Sequence, residues 1–225
     1  MNAKNSVKRW LSKANTRLSV STAAFMLAGS ALVSSLLGLL RERLLLTNFG
    51  IGAEVDAYKA AFTVPDFMFM LLVSGALSVT FIPVFSRRIA KNNWESAWQL
   101  SSSLLNLMAI VTAAASVIII IAAPWLVRYV VAPGLEAPTQ ELAVDMMRII
   151  ALNPLLFAIS SVLTSVQQAV GRFFFYALAP SVYNLGIIFG IVTIAPTFGI
   201  TGVAIGVLIG SIVQLLVSIL GMAGL

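Results

Sequence analysis

Along the chain, long stretches carry no charge at all and short stretches carry several charges together. Six apolar blocks approach the roughly 20 residues that a helix needs to cross bilayer hydrocarbon. They cover about 18–47, 57–85, 100–131, 142–168, 177–196 and 201–222. Turn chemistry separates them: Asn48-Phe49-Gly50-Ile51-Gly52 after the first, Ala132-Pro133-Gly134 after the third, and Pro196 with Gly199 between the last two, which form a tight hairpin. This pattern predicts an all-α integral membrane protein of about six transmembrane helices. Residues 1–17 read as a basic cytoplasmic N-terminal tail and residues 18–225 as one six-helix lobe, with no soluble domain, linker or low-complexity segment.

Composition sharpens this picture. The 225 residues are 60% hydrophobic and 10% charged, with a mean hydropathy of +1.00. A soluble domain of this size cannot hide so much apolar surface, whereas lipid as the outer solvent removes the difficulty. There is no Cys and no His. That excludes disulfides, metal sites built on thiolate or imidazole, and nucleophilic triads with a His base. The net charge of +6 could suggest nucleic acid, but its placement argues otherwise. Lys4, Lys8, Arg9, Lys13 and Arg17 directly precede an apolar run, which is the arrangement for anchoring at a lipid surface and for setting topology. That run is too long for a cleaved signal core of roughly 7–15 residues, so it reads as a retained first helix.

Loop charges orient the spans. Placing the N-terminus inside gathers the basic tail, then Arg87, Arg88 and Lys91, then Arg172 on the cytoplasmic side. Glu54, Asp56, Glu136 and Glu141 then fall outside, and six spans return the C-terminus to the cytoplasm. Trp10, Trp94, Trp98 and Trp125 all lie near span ends, where interface anchors belong.

Within the first span, Arg41, Glu42 and Arg43 interrupt an apolar segment. Charge at membrane depth is expensive unless it pairs or faces water, so these residues point to function. Ser30, Ser34, Gly38 and Glu42 recur every four residues and share one helix face, leaving room for a neighbouring backbone or a cavity. In the second span Asp66, Met70, Ser74 and Ser78 recur in the same way, just after Pro65. Counting inward from the span ends at roughly 1.5 Å per residue puts Arg41 and Asp66 both on the order of 10–14 Å deep. The expectation is a pairing of Arg41 or Arg43 with Asp66 across a polar cavity in the outer half of the membrane. Arg43 and Lys59 are close enough to span ends to snorkel instead, and Arg41 with Glu42 could form a purely structural ion pair.

Weaker signals remain. Gly202, Gly206 and Gly210 form a small-residue stripe suited to close helix packing, or to a hinge. Asn153-Pro154 and Pro180 should bend the fourth and fifth spans. Gln167, Gln168, Tyr183 and Asn184 could line a polar route near the cytoplasmic side or make ordinary interhelical hydrogen bonds. No Walker-type phosphate loop is present, so ATP hydrolysis is not expected, and nothing suggests an enzyme or a cofactor.

These residues carry a resemblance. Gly38-Leu-Leu-Arg-Glu, Asn48-Phe-Gly and Asp56-Ala-Tyr-Lys-Ala-Ala-Phe-Thr-Val-Pro65-Asp resemble the start of MviN/MurJ-type lipid II flippases. Ser74-Gly-Ala-Leu-Ser78-Val-Thr-Phe-Ile-Pro83-Val-Phe, Ala123-Pro-Trp-Leu-Val, Ala132-Pro-Gly and Ala179-Pro180 before Tyr183-Asn184 continue it in order and spacing. The resemblance implies one lobe of a two-lobe multidrug/oligosaccharidyl-lipid/polysaccharide exporter fold, working by alternating access around a cationic central cavity. It implies a substrate of undecaprenyl-pyrophosphate-linked peptidoglycan precursor, moved across the bacterial cytoplasmic membrane. Arg41 matches a cavity arginine of that family and Glu42 the acidic residue after it. Four charged family positions differ, three of them cationic: Ser35 stands where an arginine is typical, Phe69 and Met70 where an arginine pair follows, and Ser74 where a Glu is common. Weaker pyrophosphate binding should follow.

The expected substrate-binding residues are therefore Arg41, Glu42, Asp66, Ser34, Gly38 and Ser74. The expected partners are the bilayer, a lipid-linked pyrophosphate saccharide, and a second lobe, because one six-helix lobe has nothing to rock against. The second lobe could come from a homodimer or a separate chain, or the sequence could be a fragment. Two other functions fit the residues: a non-transporting membrane scaffold derived from a flippase lobe, which the lost arginines favour, and an exporter of another lipid-linked saccharide or a small cation bound by Asp66.

Overall fold

A computed structural model describes residues 20–74, 81–223 and 225. The basic tail, Trp10, Leu18 and Ser78 lie outside these residues. Among the described residues all regular structure is helical. Helix α1 is Val20–Phe49, α2 Ala53–Phe69, α3 Ile82–Ala90, α4 Trp94–Leu126, α5 Ala137–Ile150, α6 Asn153–Ala169, α7 Phe174–Phe189, α8 Ala195–Phe198 and α9 Thr201–Leu220. Three of them run on into a wider π turn: α2 through Met70–Ser74, α4 through Val127–Val131 and α7 through Gly190–Ile194. Pro65 and Pro124 each lie inside the helix just before such a turn. A missing amide proton and a crowded ring loosen the ladder there.

Among the described residues, five helical stretches are long and apolar enough to cross a membrane: Ser21–Phe49, Trp94–Val131, Ala137–Ala169, Phe174–Phe198 and Thr201–Leu220. The second expected span falls on α2, its wide turn and α3, either side of residues 75–80. The fourth span is two helices. Ala151 and Leu152 form a turn, and Asn153 and Pro154 open α6. Asn153 is fully buried and its Oδ1 accepts from Ser211 Oγ on α9 at 2.9 Å, which ties the bend to the last helix. Pro180, in contrast, sits inside a continuous α7.

The connections obey their local chemistry. Gly50 and Gly199 adopt positive φ at the turns after α1 and before α9. Glu54 and Asp56 occupy the first turn of α2, where the helix dipole favours negative charge. Asn93 caps α4 by accepting from the Ser96 amide at 3.1 Å.

Among the described residues, two apolar clusters fill the interior. One joins α1, α2, α4, α5, α7 and α9 around Tyr58, Ile119, Met146, Met147, Ile187 and Val203. The other sits at the opposite end around Phe81, Phe85, Met108, Val162 and Val166. Trp98 packs edge-on against Phe85, with ring centroids 6.3 Å apart, so this tryptophan serves the core as well as the interface.

The tightest seam is α7 against α9. A Cβ on Gly190 would lie 2.5 Å from Gly206 Cα, and one on Gly210 would lie 2.6 Å from the Tyr183 carbonyl oxygen. Gly202, Gly206 and Gly210 therefore meet Ala195, Gly190 and Gly186 backbone to backbone. Close packing, rather than a hinge, is what the stripe provides. Helix α1 is the opposite case. It leans mainly on α7, and Phe25, Leu32, Leu36 and Leu39 are left outside the bundle.

Candidate functional site

The polar positions of α1 converge on one residue of α7. Asn184 Nδ2 lies 3.2 Å from Ser34 Oγ, 3.3 Å from the Ser34 carbonyl and 3.2 Å from the Pro180 carbonyl, donating to this set. Its Oδ1 accepts from Arg41 Nη1 at 3.2 Å. One turn earlier, Ser30 Oγ donates to the Ala177 carbonyl. The four-residue spacing of Ser30, Ser34 and Gly38 thus lays one edge of α1 along α7. Asn184 is nearly buried, so its amide would be orphaned without these partners.

The Arg41 result corrects an expectation. Arg41 is held by Asn184, not by Asp66, because Asn184 stands on the helix that α1 packs against. Arg43 is exposed, and neither arginine forms an ion pair with Asp66. Glu42 pairs with Lys59 of α2 at 3.5 Å, so Lys59 does not simply snorkel. Asp66 is exposed on α2. Arg41 and Asp66 nevertheless belong to one neighbourhood, since both lie within electrostatic reach of the Tyr58 and Tyr183 hydroxyls. Tyr183 stacks edge-on with Phe157 at 5.2 Å, and Phe157 with Phe69 at 5.7 Å, which makes an aromatic wall from α7 through α6 to α2. Ser74 ends the wide turn that continues α2.

Guanidinium carries five N–H donors in a fixed fork. The bond to Asn184 Oδ1 uses one side of it, and the remaining donors of Arg41 have no protein partner among the described residues. Asn184 thus holds the guanidinium by a neutral acceptor and leaves its charge uncompensated. Below Arg41, between α1 and α7, a groove of about 440 Å³ is lined by Ser30, Ser34, Ser35, Tyr176, Ala177 and Pro180, among others. Gln167 does not line a route: it is buried and donates to the Ser218 carbonyl at 2.8 Å.

Sequence reasoning missed Asn184 as the partner of Arg41 and Lys59 as the partner of Glu42. A signal for Asn184 existed, namely a lone carboxamide one turn after Pro180 in an otherwise apolar span. Depth counted from span ends could not say which helix faced Arg41.

Two small-effect outcomes follow here. The Lys59–Glu42 pair is largely exposed, with side chains 59% and 41% accessible. Lys59→Met should therefore change the thermal midpoint of the purified protein little, in keeping with roughly 0–1 kcal/mol for exposed pairs. A methyl group at position 38 would lie 4.0 Å from Asn184 Oδ1, an ordinary contact. Gly38→Ala should leave the folded lobe at least as stable by the same measurement.

Comparison with known proteins decides the family. The family model "Lipid II flippase MurJ" matches residues 45–224. This chain belongs to the MurJ lipid II flippase family. The lipid II flippase MurJ of Burkholderia cenocepacia is 29% identical over 204 residues, covering 89% of this chain and 39% of that protein. The probable lipid II flippase MurJ of Thermotoga maritima is 30% identical over 187 residues, covering 82% and 37%. Among solved structures, a lipid II flippase MurJ in an inward closed conformation aligns with a TM-score of 0.73 at 27% identity, covering 88% of this chain and 42% of that one. A MATE transporter in complex with MaD5 shares the fold, with a TM-score of 0.70 at 23% identity. The chain thus spans about two-fifths of the length of these MurJ relatives. Its helical architecture is that of a MurJ-type transporter lobe in a multi-pass bacterial membrane protein.

Proposed function

We propose that this chain is one lobe of a transporter that flips a lipid-linked pyrophosphate saccharide of the lipid II class across the bacterial inner membrane. It works against a second lobe, whether in a longer form of the same protein, a second copy or another polypeptide. The observation that carries this reading is Arg41: a guanidinium at membrane depth, fixed from one side by a neutral amide, with its remaining donors unclaimed. A diphosphate is the ligand that such a fork suits, since bidentate charge-assisted bonds to phosphate oxygens are strong and directional. Glu42 is taken up by Lys59, which leaves Arg41 free to meet an anion. Ser34 anchors Asn184, and Gly38 lies beside the Asn184 amide oxygen; Ser74 is kept as a candidate on the second span. The termini are cytoplasmic on this reading, because that orientation puts the loop residues Arg87, Arg88, Lys91 and Arg172 inside and Glu54, Asp56 and Glu136 outside.

The test is complementation of a flippase-depleted bacterium by this chain, alone and together with the part of the Burkholderia cenocepacia relative that it does not match. Growth in the paired arm, and its loss with Arg41→Ala, is the expected result. Failure in both arms with the protein present in the membrane would sink transport and leave the scaffold reading.

A further inference from the structure

A second polar pocket lies at the other end of the bundle from Arg87 and Arg88, distinct from the Arg41 site. About 270 Å³ in volume, it is a half-open cleft between the wide turn that ends α4 and the exposed face of α5. Arg128, Glu141, Asp145 and Arg148 line it, with Pro124 and Val144 at its apolar edge. Helix α5 turns Ala143, Met146, Met147 and Ile150 into the core, which obliges its charged positions to face outward. Gln140 fixes the corner by donating to the Ala132 carbonyl at 3.0 Å.

The charges in this pocket are incompletely matched. Arg148 pairs with Asp145 at 3.6 Å. Arg128 and Glu141 share the pocket with opposite signs, yet they do not close into an ion pair, and neither side chain has a polar partner among the described residues. A separated cation and anion in one cavity fit a ligand that carries both charges a few atoms apart. The location indicates its source. Trp125 and Tyr129, on the same stretch as Arg128, are 58% and 66% exposed, with rings 6.3 Å apart. Exposed aromatic pairs of this kind mark headgroup depth.

We infer that this pocket binds the zwitterionic headgroup of an aminophospholipid. The phosphate takes Arg128, with Arg148 beside it, and the ammonium takes Glu141 and Asp145. Both contacts are charge-assisted hydrogen bonds in the partly desolvated interface, where they exceed their strength in water. A lipid bearing only the phosphate charge would meet the two carboxylates without compensation.

Native mass spectrometry of the delipidated full chain tests this. Phosphatidylethanolamine, phosphatidylglycerol and phosphatidylcholine are offered singly at equal concentration. The ethanolamine lipid should give the most abundant adduct, and Arg128→Gln or Glu141→Gln should each lower it roughly tenfold, as the loss of a charge-assisted bond implies. Circular dichroism should show both variants folded, since both side chains are exposed. Equal or stronger binding of the glycerol lipid would overturn the assignment, as would loss on Arg128→Gln alone, which describes a plain phosphate site. Binding of the choline lipid equal to that of the ethanolamine lipid would overturn the role of the ammonium protons. Unchanged binding in both variants would show that the cluster is only a solvated charged face.

Discussion

Gly206→Leu should leave almost no folded lobe to purify. A Cβ at this position would lie 2.6 Å from Gly190 Cα and 3.0 Å from the Gly186 carbonyl oxygen, both backbone atoms that no rotamer change can move aside. The only relief is to part α7 from α9, the most extensive helix pair in the structure. Separating them would uncover Ile187, Ile191, Val203 and Val207, all nearly or fully buried. Overpacking costs about 1–3 kcal/mol where the surroundings can shift, and here they cannot without opening the seam. Size-exclusion profiles of the detergent-solubilised protein, with a thermal ramp, would measure it. Gly29→Leu is the control, because nothing lies within 4 Å of a Cβ there. If Gly206→Leu runs as a monodisperse peak with the parent thermal midpoint, the backbone contact is not what holds these helices together.

Arg41→Ala should abolish complementation, and Asn184→Leu should reduce it on the order of tenfold to a hundredfold, the range for losing a hydrogen bond to a charged group. The two reductions should not add. Once Arg41 is gone, Asn184 has no guanidinium to aim, so the double variant should match Arg41→Ala. Arg41→Lys should restore little, since an ammonium cannot hold the amide and present a fork at once. Asn184→Asp is the informative variant. It keeps the size but turns the neutral acceptor into a carboxylate that neutralises Arg41 and removes the donor to the Ser34 and Pro180 carbonyls, leaving Ser34 Oγ to bond it, so anion handling should fall although the Arg41 contact survives. Strict additivity of Arg41→Ala and Asn184→Leu in growth rate would remove Asn184 from the site and leave it as packing.

Much of the candidate site was legible from residue type and spacing. Arg41 stood out because ionised groups are scarce at membrane depth, and Ser30, Ser34 and Gly38 because period four puts them on one edge of a helix. What spacing could not supply was the facing helix. Asp66 was the obvious partner on charge, and it belongs to the neighbouring span. Yet α1 touches α2 little and runs along α7, so a carboxamide 143 positions away took the contact. Lys59 was likewise reachable from Glu42 only because the α1–α2 turn brings their outer ends together.

The apolar blocks, the turns between them and the family were fixed by the sequence by itself. Backbone hydrogen bonding in lipid admits little but helices, and block length sets where each can span. The tertiary structure alone decided which polar groups meet. Lipid is as apolar as the side chains it touches, so hydropathy exerts no preference among helix neighbours. Close approach of glycines and the satisfaction of a few buried amides choose them instead, and these depend on shape in three dimensions that no single helix encodes.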